Sequence, residues 1–194
     1  MTNSPIGANI TNLLSQAPMI ADEVKQSFGC LSPQQLNWKL HPEQWSVGQC
    51  LHHLVTANEA YFPTFEKILK GEKKATLWER MPFLPSLFGS MLINTLSPQS
   101  TRKLKAPAAF RPASSDIDVK IDADFADQQN RLIERMKTSA KLKLQSIVIS
   151  SPATSLVTYS LLDAYKIILV HERRHILQGQ RVMELSGFPR QPSA

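Results

Sequence analysis

SLLDAYKIILVHERRHILQGQRVMELSG, from Ser160 to Gly187, is the stretch whose reading decides the fold. Ser160 opens a helix, Asp163 helps to cap it, and Gly187 with Pro189 beyond ends it. At about 100° per residue, Asp163, Lys166, Arg173, Arg174, Arg181 and Glu184 share one polar arc roughly 100° wide. His171 and His175 lie outside that arc, beside Ala164, Ile168 and Val182, with Gln178 on their side. Residues four apart share a helix face, so both imidazoles point inward or into a groove and can reach one ion. Glu172 is also on the inward side, near Tyr165 and Ile168, where a carboxylate needs a partner or a purpose.

Three more long helical segments precede this one, with no internal repeat. Apolar spacing from Ile10 through Leu13, Leu14, Ile20, Ala21 and Val24 to Phe28 predicts a first helix ending at Gly29. Ser46 and Gln49 form a capping box after Trp45 and start a second, running to Gly71 with a kink at Pro63. The third spans Asp122 to Leu142, with Phe125, Leu132 and Met136 along one stripe. Ile147 to Thr158, broken by Pro152, reads as a loop or a short extended segment. Between helices two and three, Glu72 to Ser115 forms a long Pro-rich crossover carrying one or two short helices. Crossovers longer than about 12–15 residues often serve as lids or site walls. The expected fold is therefore all-α, a four-helix bundle forming a single domain over residues 1–194, with its site between facing helices.

The composition fits such a domain, with 42% hydrophobic and 20% charged residues. Cys30 and Cys50 make no CxxC pair and read as two free thiols. MTNSPIGANI has neither the basic nor the apolar region of a signal peptide, and Leu161 to Val170 is too short and too charged to span a bilayer. A cytoplasmic protein with no membrane partner is expected. Net charge is +6, but Lys70/Lys73/Lys74, Arg102/Lys103/Lys105 and Lys137/Lys141/Lys143 are scattered and not interleaved with aromatics. That pattern argues against nucleic acid as a partner and reads as solvated lysine.

On the second helix, Val47, Cys50, Leu51, Leu54, Tyr61, Phe65 and Ile68 make the core stripe, and His52 points almost opposite it, toward solvent. His53 sits on the flank, with the small residues Ala57, Ala60 and Thr64 following it. His53 can therefore close a three-histidine site with His171 and His175. Three neutral imidazoles with an open position suit zinc, nickel or ferrous iron. HERRH also spells the HExxH signature of zinc peptidases, but that reading fails on three counts. Both intervening residues are arginine, and Gln178 and Arg181 stand where the longer pattern needs glycine and histidine. Glu184, the downstream carboxylate candidate, falls in the polar arc.

The run WSVGQCLHHL, Trp45 to Leu54, resembles the first signature of the DinB-like superfamily, also called DinB/YfiT-like metalloenzymes. HERRHILQGQRV, His171 to Val182, resembles its second, and HPEQ (His41 to Gln44) and APAAFRP (Ala106 to Pro112) are similar to its flanking segments. The resemblance implies an up-down-down-up bundle. It also implies a divalent metal held by His53, His171 and His175. Members with known activity include bacillithiol-, mycothiol- and glutathione-dependent S-transferases and isomerases.

Two classes of function follow. The first is a metal-dependent enzyme transferring a low-molecular-weight thiol to an electrophilic small-molecule substrate, with a hydrolase using the same ligands as a variant. Glu172 would orient a histidine or act as a base, Gln178 would hydrogen-bond a ligand or a histidine, and Arg174 would neutralise a cofactor carboxylate. The second is a non-enzymatic stress-response binding protein of the same fold. The apolar cluster from Phe83 to Ile93 is a candidate homodimer contact or a lid.

Overall fold

Asn9 caps the first helix, α1 (Ile10–Phe28), its side-chain oxygen accepting from the Asn12 amide at 3.0 Å. The structure is a computed structural model that describes residues 9–100, 106–112 and 114–190; the Arg102/Lys103/Lys105 group lies outside them. A short helix α2 (Pro33–Asn37) leads to α3 (Val47–Glu59), which starts at the expected capping box. There Ser46 Oγ accepts from the Gln49 amide at 3.1 Å and the Gln49 side chain accepts from the Ser46 amide at 3.2 Å.

The expected second helix is two helices, because α3 stops at Glu59 and α4 (Phe62–Leu69) begins beyond it. Pro63 explains the break. It has no N–H to offer the Glu59 carbonyl, and its ring crowds the carbonyl four residues back. Near the start of α4 the same residue is well tolerated. The chain then turns at Gly71, whose φ of 71° suits a residue without Cβ.

The third long helix is α6 (Ile121–Ser139) and the last is α7 (Leu161–Glu184). Helix α1 packs against α6 and α7, and α3 packs against the same two. Leu13, Ala17 and Ile20 of α1 meet Leu51 and Leu54 of α3, Phe125, Leu132 and Met136 of α6, and Ile168 and Ile176 of α7 in one buried core. Each large side chain so buried contributes about 1.5–3 kcal/mol relative to exposure. Cys50 lies in this core and Cys30 is exposed, both as free thiols. Burial pushes the Cys50 thiol up to about 12.

The all-α expectation needs correction. Val148–Ser151 and Thr154–Ser160 pair as an antiparallel hairpin, β1 and β2, in the stretch read as loop or extended segment. The residues favour it: β-branched and aromatic side chains flank a turn at Pro152 and Ala153. Ile149 and Tyr159 face each other across the ladder and are fully buried. Ser160 ends β2 and also caps α7, its Oγ accepting from the Asp163 amide at 3.0 Å.

Among its described residues the crossover carries one full helix, α5 (Leu84–Leu96), and two 3₁₀ turns, Trp78–Arg80 and Ala108–Phe110. Helix α5 packs on β2 and α7. Gly89 permits the close approach, since a Cβ there would meet Asp163 Oδ2 at 2.8 Å. Its outer face leaves Phe83, Leu87 and Met91 exposed.

Glu79 fastens the crossover to the hairpin. Its carboxylate accepts from the Lys73 ammonium at 2.6 Å, the Thr76 amide at 2.8 Å, and the Ser150 amide and hydroxyl at 2.8 and 3.1 Å. Burial alone would raise its pKa, but the Lys73 ammonium and these donors hold it below the ordinary 4.5. A carboxylate with a depressed folded pKa stabilises the fold above its unfolded value, and the contribution is lost as pH falls through the folded one. Glu79→Gln is expected to cost about 1–2 kcal/mol at neutral pH. In urea titrations, the gap to the native protein should narrow as pH drops below 4.5; a gap independent of pH would contradict the assignment.

Candidate metal centre

The two helix faces that carry histidines meet where α3 packs on α7. His53, His171 and His175 each offer one ring nitrogen, and these nitrogens all lie within 4.8 Å of one another. His53 Nε2 is 3.1 Å from His171 Nε2, and the three ring centroids are 4.6 to 4.9 Å apart. The angular reading of the sequence is therefore met for all three histidines. His52 is half-buried, not exposed as expected, and its Nδ1 is sealed from solvent with no hydrogen-bond partner.

Neutral imidazoles are what a metal requires, and this environment keeps them neutral. Burial, followed by the neighbouring histidines and Arg174, holds His171 well below its ordinary value. Burial, then His53 and Arg174, pushes His175 down to about 3, with the Gln178 side chain opposing. Burial also lowers His53, against a hydrogen bond with the Phe110 carbonyl. That bond is 2.7 Å long and fixes the tautomer. Nδ1–H donates to the Phe110 oxygen, so the lone pair sits on Nε2 and faces His171. Trp45 packs against the rings of both His53 and His175, with centroids 4.9 and 5.7 Å away. Three convergent neutral donors, one with its tautomer set by a backbone carbonyl, fit a divalent ion.

The other expected site residues divide. Gln178 and Arg174 line the cavity into which the histidines open, whose volume is about 790 Å³. Arg174 also donates from Nη1 to the carbonyls of Thr95, Ser97 and Ser100 at 3.2 to 3.4 Å. It thereby caps the C-terminal end of α5, where carbonyls carry partial negative charge. Arg174→Ala is expected to loosen α5 by about 1 kcal/mol. Faster amide exchange from Leu84 to Leu96 would show it, and unchanged exchange there would contradict it.

Glu172 lies away from the histidine nitrogens, in a polar layer between α1, α3, α6 and α7. One carboxyl oxygen accepts from Asn58 Nδ2 at 2.7 Å and the other from Gln129 Nε2 at 3.2 Å. Glu172 is fully buried, and that burial raises its pKa to about 8 despite the two amides. The partner that an inward carboxylate needs is this pair of amides. Sequence reading missed Asn58, Gln128 and Gln129, because polar residues on amphipathic helices read as surface. It also missed the Phe110 carbonyl, a backbone group with no side-chain signal.

A family model described as the DinB superfamily matches residues 19–178. No curated protein and no solved structure matches the chain. The family match runs from within α1 through α3 and into α7, taking in all three histidines, and the chain belongs to the DinB superfamily.

Proposed function

We propose that this chain is a metal-dependent enzyme that transfers a low-molecular-weight thiol to an electrophilic small molecule. The observation that carries the reading is the cluster of three buried or half-buried imidazoles opening on a large cavity. His53, His171 and His175 would hold zinc, nickel or ferrous iron. A divalent ion there supplies Lewis acidity that lowers the pKa of a thiol toward neutrality.

The chain's own residues do the rest. The Phe110 carbonyl keeps His53 in the ligating tautomer. Trp45 packs on two of the rings and holds them against rotation. Gln178 steadies His175 or a bound molecule, and Arg174 brings positive charge to the cavity wall for an anionic carboxylate of the thiol. Glu172 positions α7 through Asn58 and Gln129; its oxygens are turned to those amides and away from the role of base.

The same reading takes residues 1–194 as one domain and the long helices as an up-down-down-up bundle. The pairing of α1 and α3 with both α6 and α7 supports that topology. It has the protein act in the cytoplasm, with the exposed face of α5 as the candidate homodimer contact. Among the described residues, no helix is long and apolar enough to cross a membrane.

The test is a panel of bacillithiol, mycothiol and glutathione with a chromogenic aryl halide, run on untagged protein before and after chelation. Metal-dependent consumption of one thiol is expected. No consumption with any thiol would overturn the transferase reading in favour of a hydrolase with the same ligands or a binding protein.

A further inference from the structure

The cavity beside the histidines has a polar end that the metal reading does not use. Its walls are largely apolar, with Leu92, Leu96, Ile167 and Leu177 among them, and Asn58 also borders it. Asn58 is 1% exposed. Its orientation is dictated by a relay that begins at a backbone carbonyl. Gln128 Nε2 donates to the Val55 carbonyl at 3.2 Å, which turns Gln128 Oε1 toward Asn58. Asn58 Nδ2 must then face that oxygen, at 3.3 Å, and it also donates to Glu172 Oε1 at 2.7 Å. An amide with its nitrogen so committed presents its oxygen on the other side.

No donor among the described residues reaches Asn58 Oδ1. The hydroxyls of Tyr61 and Tyr159, which also border the cavity, share one hydrogen bond at 2.7 Å, and neither is bonded to Asn58. A side-chain acceptor held in a fixed orientation on the wall of a mostly apolar cavity favours an occupant that carries a matching donor. Asn58 follows His53 by five residues on α3, a rise of about 7.5 Å along the helix.

We infer that the cavity takes a small molecule with a largely apolar body and a hydroxyl or amide N–H donor. Asn58 Oδ1 accepts from that donor, about 7 Å along α3 from the group held at the histidines. The inference rests on the proposed function only in taking this cavity as the substrate cavity, and it names the class of substrate. A hydroxylated or amide-bearing compound with an apolar body fits, and a fully aprotic one does not.

The probes are 1-naphthol and 1-methoxynaphthalene, one with a donor and one without. Their dissociation constants would be measured by calorimetry on the full chain, metal-free and zinc-loaded. Naphthol is expected to bind roughly threefold to tenfold more tightly, and Asn58→Leu to bring the two within about twofold. Absence of the preference, its survival in Asn58→Leu, or no binding of either probe would overturn the inference. Should Asn58→Leu not fold, the Asn58 side-chain amide resonances of the native protein decide. Naphthol should shift them and methoxynaphthalene should not, and an equal response to both overturns the inference. The two readings fail separately. A chain that holds no metal but prefers naphthol sinks the metal site alone, and a metal-holding chain without the preference sinks only this inference.

Discussion

His53→Ala, His171→Ala and His175→Ala are each expected to hold zinc about 100-fold or more weakly than the native protein. Structural zinc sites bind with about 10–16 kcal/mol over four ligands, so one ligand is worth about 3 kcal/mol, or roughly 100-fold. The three losses should be similar, because the nitrogens converge to within 4.8 Å and no fourth side chain joins the cluster among the described residues. His52→Ala is the control: it is adjacent in sequence but outside the cluster, and it should bind zinc as the native chain does. Competition with a chromophoric chelator reads all four. Equal affinity in His53→Ala and the native protein would mean that the imidazoles do not act together.

Glu172→Ala is expected to unfold about 6–12 °C below the native protein. Removing the carboxyl leaves the Asn58 and Gln129 amides with unmet donors in a fully buried layer and opens a void between helices. Each unsatisfied group costs about 1–3 kcal/mol, giving a total near 3 kcal/mol once Gln128 and the Ala17 carbonyl retain one bond to each amide. For a chain of this size, about 1 kcal/mol moves Tm by 2–4 °C. Glu172→Gln keeps one acceptor and should lose less than half as much. Metal affinity should fall modestly in Glu172→Gln, because the helix bearing both histidines is held less firmly. Calorimetric scans compare the three proteins. A Glu172→Ala chain as stable as the native one would show that the carboxyl does not tie α7 to α3 and α6.

The histidine site was legible in the sequence because helical periodicity converts residue number directly into direction. His171 and His175 had to share a face, and the flank position of His53 followed from the apolar stripe of its helix. The capping box at Ser46 and the N-cap at Ser160 were legible for a similar reason, since a cap is a local contact over three residues. The hairpin was hidden because one proline in a short β-branched stretch suits a loop equally well, and only the buried pair Ile149 and Tyr159 decides. The break between α3 and α4 was half-visible in Pro63. Long-range polar contacts left no trace. Nothing local to Asn58, Gln128 or Gln129 announces that three helices bring them to Glu172, and the angle that exposed His52 on paper counted its own helix alone, whereas the side chain is half-buried.

The most direct test of the metal centre is the metal content and coordination of untagged native protein, by elemental analysis and X-ray absorption. The account predicts one divalent ion per chain with three nitrogen neighbours at about 2.0–2.1 Å and a fourth position open to solvent or ligand. A chain that holds no stoichiometric metal and takes up none from zinc, nickel or ferrous salts, or whose ion has fewer than three nitrogen neighbours, would contradict it.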